Sequence, residues 1–337
     1  MFPSGEYDNE LAMRALVKCI GDDRPVLFVG AGCSVDLGYP ALSRLLSQMR
    51  EHFGVSVPAG LDLLKQAQHI RTWLTEHSGI DDYHNYLEQT FGPKAGLPGH
   101  LRLHSALVRL PFCGCATTNY DYAIESALSD ARGRTPVTID FCRERRHKTF
   151  SYLRQLSTNS NPGLDVLHLH GCYNNPEQLV LTEQDYVRAY GREVEVKLLE
   201  GGKLTRNLDT PYRKVLWTLL VMHPVVFIGF SLDDPAFTYM LKVVQGDFRL
   251  GSDLVHLAIV PWKPSDDVRD LVGRFKGINV QPIFYEVRQD RGGTEYADHR
   301  ALETLVLDVA STLKLDVPPL GLAGTLGRMI GLVRDED

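Results

Sequence analysis

The chain has 337 residues, enough for one large α/β domain or two smaller ones. Its 44% hydrophobic and 23% charged residues are ordinary for a globular protein, and a net charge of −6 gives no general attraction to nucleic acid or anionic membrane. Its six cysteines include no C-x-x-C pair, so the knuckles of a structural zinc site are missing and free thiols in a reducing cytoplasm are expected.

The first residues, MFPSGEYDNE, have neither a basic start nor an apolar core, so no signal peptide is predicted. Val26–Val29 is an apolar run that reads as a buried strand, entering Gly30-Ala31-Gly32 and then Ser34. Glycines there let the backbone approach a diphosphate with its N–H groups aimed at oxygen, and Ser34 adds a hydroxyl. A helix over Ala41–Phe53 would add a positive dipole end. Val35 occupies the third glycine position of G-x-G-x-x-G, and the Gly-Lys-Ser/Thr ending of a P-loop is absent. A purely structural turn is the competing reading.

Residues from about 45 to 110 contain no convincing strand and read as a helical insertion or lobe. The strand Phe112–Ala116 then delivers Thr117, Thr118, Asn119, Tyr120 and Asp121 to the sheet edge where open α/β sheets bind ligands. One of these polar residues would suffice to cap a helix starting near Tyr122, and Asp121 is the natural cap. The remaining polar side chains exceed what capping requires, which marks Asn119 for function. The basic run 143–148, RERRHK, reads as a solvated loop or subunit contact rather than a nucleic-acid patch.

The next strand, Val166–Leu169, carries His168 and His170, which share one face. An H-x-H pair can bind metal, but no third ligand lies at a recognisable spacing. His170, at the strand end directly before Gly171, is placed to move a proton near neutral pH, whereas His168 reads as structural. A strand is also predicted over Leu179–Leu181, then a mainly helical stretch over 182–222. The charge-free run 215–232 approaches membrane-span length, but Pro224 breaks it into a helix ending near Met222 and a strand Val225–Ile228. That strand opens into Gly229, Phe230 and Ser231, a second turn suited to ribose or phosphate, and Asp233 or Asp234 can cap the next helix. Strands over Leu254–Val260 and Val280–Tyr285 and helices over Ala236–Val244 and Leu302–Leu313 complete the pattern. Alternation of continuous apolar strands with helices predicts a parallel, Rossmann-like sheet covered by helices on both faces. Residues 318–337 read as a tail, either partner-binding or frayed.

The ordered set Gly30–Ser34 with Gly38 and Pro40, Thr118–Asp121, Leu169-His170-Gly171 and Gly229–Asp233, with VLTEQDY at Val180–Tyr186, resembles the sirtuin-like superfamily. More narrowly it is similar to that superfamily's bacterial branch of NAD-consuming antiphage-defence proteins, over about residues 20–315. The resemblance implies an NAD-binding catalytic domain with helical insertions at about 45–110 and 182–222. It puts the catalytic pair on Asn119 and His170. The cofactor-binding set falls on Gly30, Ala31, Gly32, Ser34, Thr118, Asp121, Gly229 and Ser231.

The departures are equally informative. Protein-deacylating sirtuins carry a four-cysteine zinc module after the His-Gly pair, and here only Cys172 follows it, so no zinc is expected. They also carry Asp-Phe-Arg after the glycine loop, where this chain has Ala41-Leu42-Ser43 and then Arg44. Water therefore becomes the expected acceptor and NAD the expected substrate, cleaved to nicotinamide and ADP-ribose. A protein deacylase or ADP-ribosyltransferase, and a non-catalytic NAD or ADP-ribose sensor, remain alternatives. Free NAD hydrolysis would poison a cell, so a cytoplasmic toxic effector released by an assembly change of a homo-oligomer, a nucleotide signal or a separate sensor is expected, and the resemblance implies an ATPase or a short Argonaute as that sensor. No direct nucleic-acid or membrane contact is expected.

Overall fold

The computed structural model describes residues 7–141, 146–158, 165–191, 210–251, 253–289 and 297–318. The first half of the basic run, the glycine pair 201–202 and nearly all of the tail lie outside the described residues.

Seven strands form one parallel sheet in the order β3-β4-β2-β1-β5-β6-β7: β1 Val26–Val29, β2 Gly114–Thr117, β3 Thr138–Asp140, β4 Val166–His168, β5 Val225–Ile228, β6 His256–Trp262 and β7 Val280–Glu286. The chain runs outward from β1 through β2 in one direction and resumes at β5 on the other side. The crossovers that follow β1 and β5 therefore leave toward opposite sides of the sheet, and open α/β sheets take ligands near such a switch point.

Alternation of side chains sorts the strands between two cores. Val26, Phe28, Ala116, Leu167, Phe227 and Ala258 face helices α7 Arg146–Thr158, α8 Glu183–Tyr190, α9 Pro211–Met222, α10 Pro235–Phe248 and α11 Val268–Lys276. Leu27, Val29, Cys115, Val166, Val226 and Ile259 face α1 Asn9–Lys18, α5 Arg102–Leu107, α6 Ala123–Arg132 and α12 Arg300–Thr312. This double coverage explains why the strands read as unbroken apolar runs. The edge strand β7 is shielded from further pairing by Asn9, which donates to the Phe284 carbonyl at 2.9 Å and accepts from its N–H at 2.8 Å.

Between β1 and β2 stand α2 Leu42–Phe53, α3 Leu63–His77 and α4 Ile80–Phe91, followed by α5. Leu45, Met49, Ile70, Leu74, Leu87 and Phe91 from the first three make a separate core that also takes in Tyr120, Leu179 and Leu181. The lobe is tied to α8 by Arg71, whose Nη1 lies 3.0 Å from Asp185.

Two expectations need correction. Leu179–Leu181 is not a strand. A short 3-10 turn over Pro176–Gln178 precedes it, and Val180 N–H donates to the His170 carbonyl at 3.0 Å, a single bond rather than a ladder. Its apolar side chains are explained by packing, Leu179 and Leu181 into the lobe core and Val180 against the sheet. Conversely, β3 was not anticipated, because three residues reading Thr-Ile-Asp carry too little apolar pattern to stand out.

Candidate active site

The loops after β1, β2, β4 and β5 converge on a cleft that opens to solvent. Ala31 and Ser34, Thr118–Asp121, His170 and Asp234 form its polar side, while Tyr39, Leu42, Leu45, Leu64 and Phe91 bring apolar surface from the lobe.

The two glycine turns meet each other rather than lining this cleft. Gly32 N–H donates to the Gly229 carbonyl at 2.9 Å, and a Cβ on Gly30 would stand 2.4 Å from that same oxygen. Gly229 has φ +65°, and a Cβ there would stand 2.6 Å from the Cys33 nitrogen. Glycine is required at both positions for close backbone approach. Gly229→Ala is expected to lower stability by about 2–4 kcal/mol in urea unfolding, because backbone atoms cannot give way. Gly251→Ala, at φ +60° with open space around it, should cost only about 1 kcal/mol. Equal losses at the two sites would mean that the contact with Cys33 is unimportant. Ser231 is exposed and its carbonyl accepts from Arg274 at 2.6 Å, so it too stands outside the cleft lining.

Asn119 is the most constrained side chain of the site. Its N–H donates to Thr117 Oγ1 at 2.9 Å, and Thr117 Oγ1 in turn donates to the Val29 carbonyl at 2.8 Å. Its Nδ2 donates to the Gly30 carbonyl at 3.2 Å and to Ser34 Oγ at 3.3 Å. A carbonyl only accepts, which fixes the amide's orientation. Asn119 Oδ1 is buried without a hydrogen-bond partner among the described residues. Such an orphan in a cleft is an acceptor awaiting a donor.

Asp121 has two duties. Its Oδ1 accepts from Ala123 N–H at 3.0 Å at the start of α6, and its carboxylate also accepts from Ser34. Burial raises its pKa above the ordinary carboxylate value, against the lowering effect of those two bonds. The cap expected at Asp121 is therefore present, and so is a polar link to Asn119 through Ser34.

His170 is 4% exposed, and Nε2 lies 2.8 Å from Tyr190 Oη. Burial pushes its pKa down to about 4, opposed only by Asp234, so the ring is neutral at physiological pH. Tyr186 and Tyr190 flank it edge-on, with ring centroids 5.4 and 5.9 Å away. Tyr186 Oη donates to Asp234 Oδ2 at 2.7 Å, and Asp234 Oδ1 caps α10 through Ala236 N–H at 2.9 Å. The expected capping role falls on Asp234. Asp233 pairs with Arg274 at 2.9 Å on the exposed side.

The two tyrosines were missed as site residues. Their i, i+4 spacing on a helix shortly after the His-Gly turn was the available signal. Asp234 was recognised only as a cap, because nothing in sequence spacing shows that Tyr186 reaches it. His168, expected to be structural, is fully buried behind the site and bonded to Asn119 and Glu125. Among the described residues, no cluster of three or more His, Cys, Asp or Glu could hold a metal, and no helix is long and apolar enough to cross a membrane.

The chain is 28% identical over 242 residues to a Bacillus cereus protein named NAD(+) hydrolase ThsA, and 25% identical over 245 residues to an Acinetobacter baumannii protein of the same name. These alignments cover 71% and 72% of this chain but 44% of each relative, so the chain spans less than half their length. Among solved structures, a Sir2 homologue–NAD complex aligns with 89% of this chain and 94% of its own at 13% identity and a TM-score of 0.42. Sir2Tm bound to a propionylated peptide aligns at 12% identity and a TM-score of 0.37, covering 90% and 99%. The family model of the SIR2-like domain matches residues 114–283, a span that includes Asn119, His170, Tyr186, Tyr190 and Asp234. That span is just over half of the chain, and the chain belongs to the SIR2-like domain family.

Proposed function

We propose that the cleft hydrolyses NAD to nicotinamide and ADP-ribose. The observation that carries this reading is the pairing, in one cleft, of an amide pinned so that only Oδ1 is free with a buried histidine held neutral. The relatives named NAD(+) hydrolase support it over the shared segment.

The chemistry is a glycoside cleavage whose leaving group needs no proton. The C1′–N bond breaks, its electron pair neutralises the nicotinamide ring nitrogen, and positive charge passes to an oxocarbenium-like ribose. Asn119 Oδ1 accepts a hydrogen bond from a water or a ribose hydroxyl and orients it. As water attacks C1′, its proton passes to His170, which then releases it to solvent. This role requires Nε2–H to donate to Tyr190 Oη, leaving Nδ1 as the acceptor. Gly30, Ala31, Gly32, Ser34, Thr118, Asp121, Gly229 and Ser231 remain the proposed cofactor-binding set. The two glycine turns would serve it by fixing the loops, as their mutual packing indicates.

Unrestrained NAD cleavage would deplete a cell, so we assign the activity to a regulated toxic effector of a bacterial antiphage system. Its trigger would be self-assembly or a separate sensor protein. The decisive assay measures nicotinamide release from NAD by the purified chain, alone and with an acyl-lysine peptide or candidate partner. Nicotinamide with free ADP-ribose is the expected product. A modified peptide would identify a transferase or deacylase instead, and NAD binding with no turnover in any arm would identify a sensor.

A further inference from the structure

Behind the cleft stands a second histidine that the chemistry above does not use. His168 ends β4, and both ring nitrogens are engaged. Nδ1 lies 2.9 Å from the Asn119 carbonyl oxygen and Nε2 lies 2.8 Å from Glu125 Oε1 on α6. The carbonyl only accepts, so Nδ1 carries a hydrogen. Glu125 Oε1 also accepts from Thr138 Oγ1 at 2.9 Å, the arrangement of a carboxylate facing two donors. Opposite an ionised Glu125 the ring is an imidazolium, donating from both nitrogens.

Burial opposes that charge, yet the Glu125 carboxylate, with Cys172, holds the His168 pKa well above its ordinary value. The other titratable groups around it are Asp121 and Tyr122 at the entry to α6 and Asp140, its neighbour in register on β3. His168 and His170, two residues apart, are thus held in opposite charge states.

The consequence falls on Asn119. Thr117 from β2, the Gly30 carbonyl after β1 and His168 from β4 together engage its N–H, its Nδ2 and its carbonyl oxygen. Every polar atom of the residue is held except Oδ1. We propose that His168 is a positioning residue for Asn119: its ion pair with Glu125 fixes the ring, and the ring fixes the Asn119 carbonyl oxygen and the aim of Oδ1. A neutral bond could supply similar stability, but only a ring locked at both nitrogens leaves it no second orientation. A buried pair of this kind contributes specificity of geometry rather than net stability. The assignment rests on the reading of Asn119 as the residue that acts on substrate.

Nitrogen-15 NMR of the full chain labelled at histidine and asparagine tests it directly. At pH 7.5 His168 should resonate as imidazolium and His170 as neutral imidazole. Glu125→Gln should return His168 to the neutral form and shift the Asn119 side-chain amide. In nicotinamide release, Glu125→Gln and His168→Gln should lower kcat about 10- to 100-fold with KM for NAD within about threefold, the signature of misaimed groups rather than lost binding. A neutral His168 in the wild-type chain overturns the proposal without any variant needing to fold. So does a folded Glu125→Gln protein with an unmoved Asn119 amide or an unchanged kcat. If the resonances behave as expected while no arm releases nicotinamide, the clamp stands and the reading of NAD hydrolysis fails alone.

Discussion

Asn119→Ala is expected to lower nicotinamide release at least about 100-fold while leaving a folded protein that still binds NAD. The side chain supplies a buried acceptor in the cleft that nothing in the described protein satisfies, so its loss removes the group that orients the attacking oxygen or the ribose. The fold should tolerate the change. Ser34 loses the Nδ2 donor but keeps its bond to Asp121, and the Gly30 carbonyl keeps the Cys33 N–H at 3.1 Å, so the loss is about 1–2 kcal/mol. Asn119→Asp provides the sharper comparison, being nearly the same size. It forfeits both Nδ2 bonds and sets a carboxylate against the Gly30 carbonyl, with Asp121 one hydroxyl away. It should be as inactive as the alanine variant and less stable, increasingly so as pH rises and the new carboxyl ionises. Rates within threefold of wild type for folded Asn119→Ala would remove Asn119 from the mechanism.

The same residue shows what can be read in a sequence and what cannot. Four polar side chains after an apolar strand exceed the needs of a helix cap, and that excess marked Asn119, with Asp121 as the cap; both line the cleft. Strands covered on both faces are unbroken apolar runs, so six of the seven in the sheet were visible within two residues of their bounds. β3 escaped because an edge strand of three residues carries almost no pattern, and Leu179–Leu181 misled because a loop that fills two cores is as apolar as a strand. The glycines were legible as glycines, but not which backbone they approach. Gly30 and Gly229 lie about two hundred residues apart, and only the pairing of β1 with β5 brings them together. Long-range polar partners are hidden for the same reason: Tyr186 with Asp234, Tyr190 with His170 and His168 with Glu125 are all set by tertiary geometry.

His170→Gln is expected to lower nicotinamide release by roughly 100- to 10,000-fold, the range of a lost general base. Glutamine retains a polar group toward Tyr190 Oη but cannot take up the proton of the attacking water. The pH profile provides the stricter test, because burial has already set the direction. With its pKa pushed down to about 4, His170 is in its proton-accepting form throughout the neutral range. The kcat/KM of the free enzyme should therefore be level from about pH 8 to pH 5.5 and fall only in stronger acid, as protonation removes the base. A profile that rises as pH falls would make the histidine a proton donor and reverse its role. Tyr190→Phe separates the base from its holder. It deletes the hydroxyl that engages Nε2 without touching the ring contacts, so kcat should fall about tenfold while the neutral plateau persists. An acid limb that persists in the tyrosine variant but is absent from the residual activity of the glutamine variant would locate the titrating proton on His170 rather than on any of the carboxylates around it.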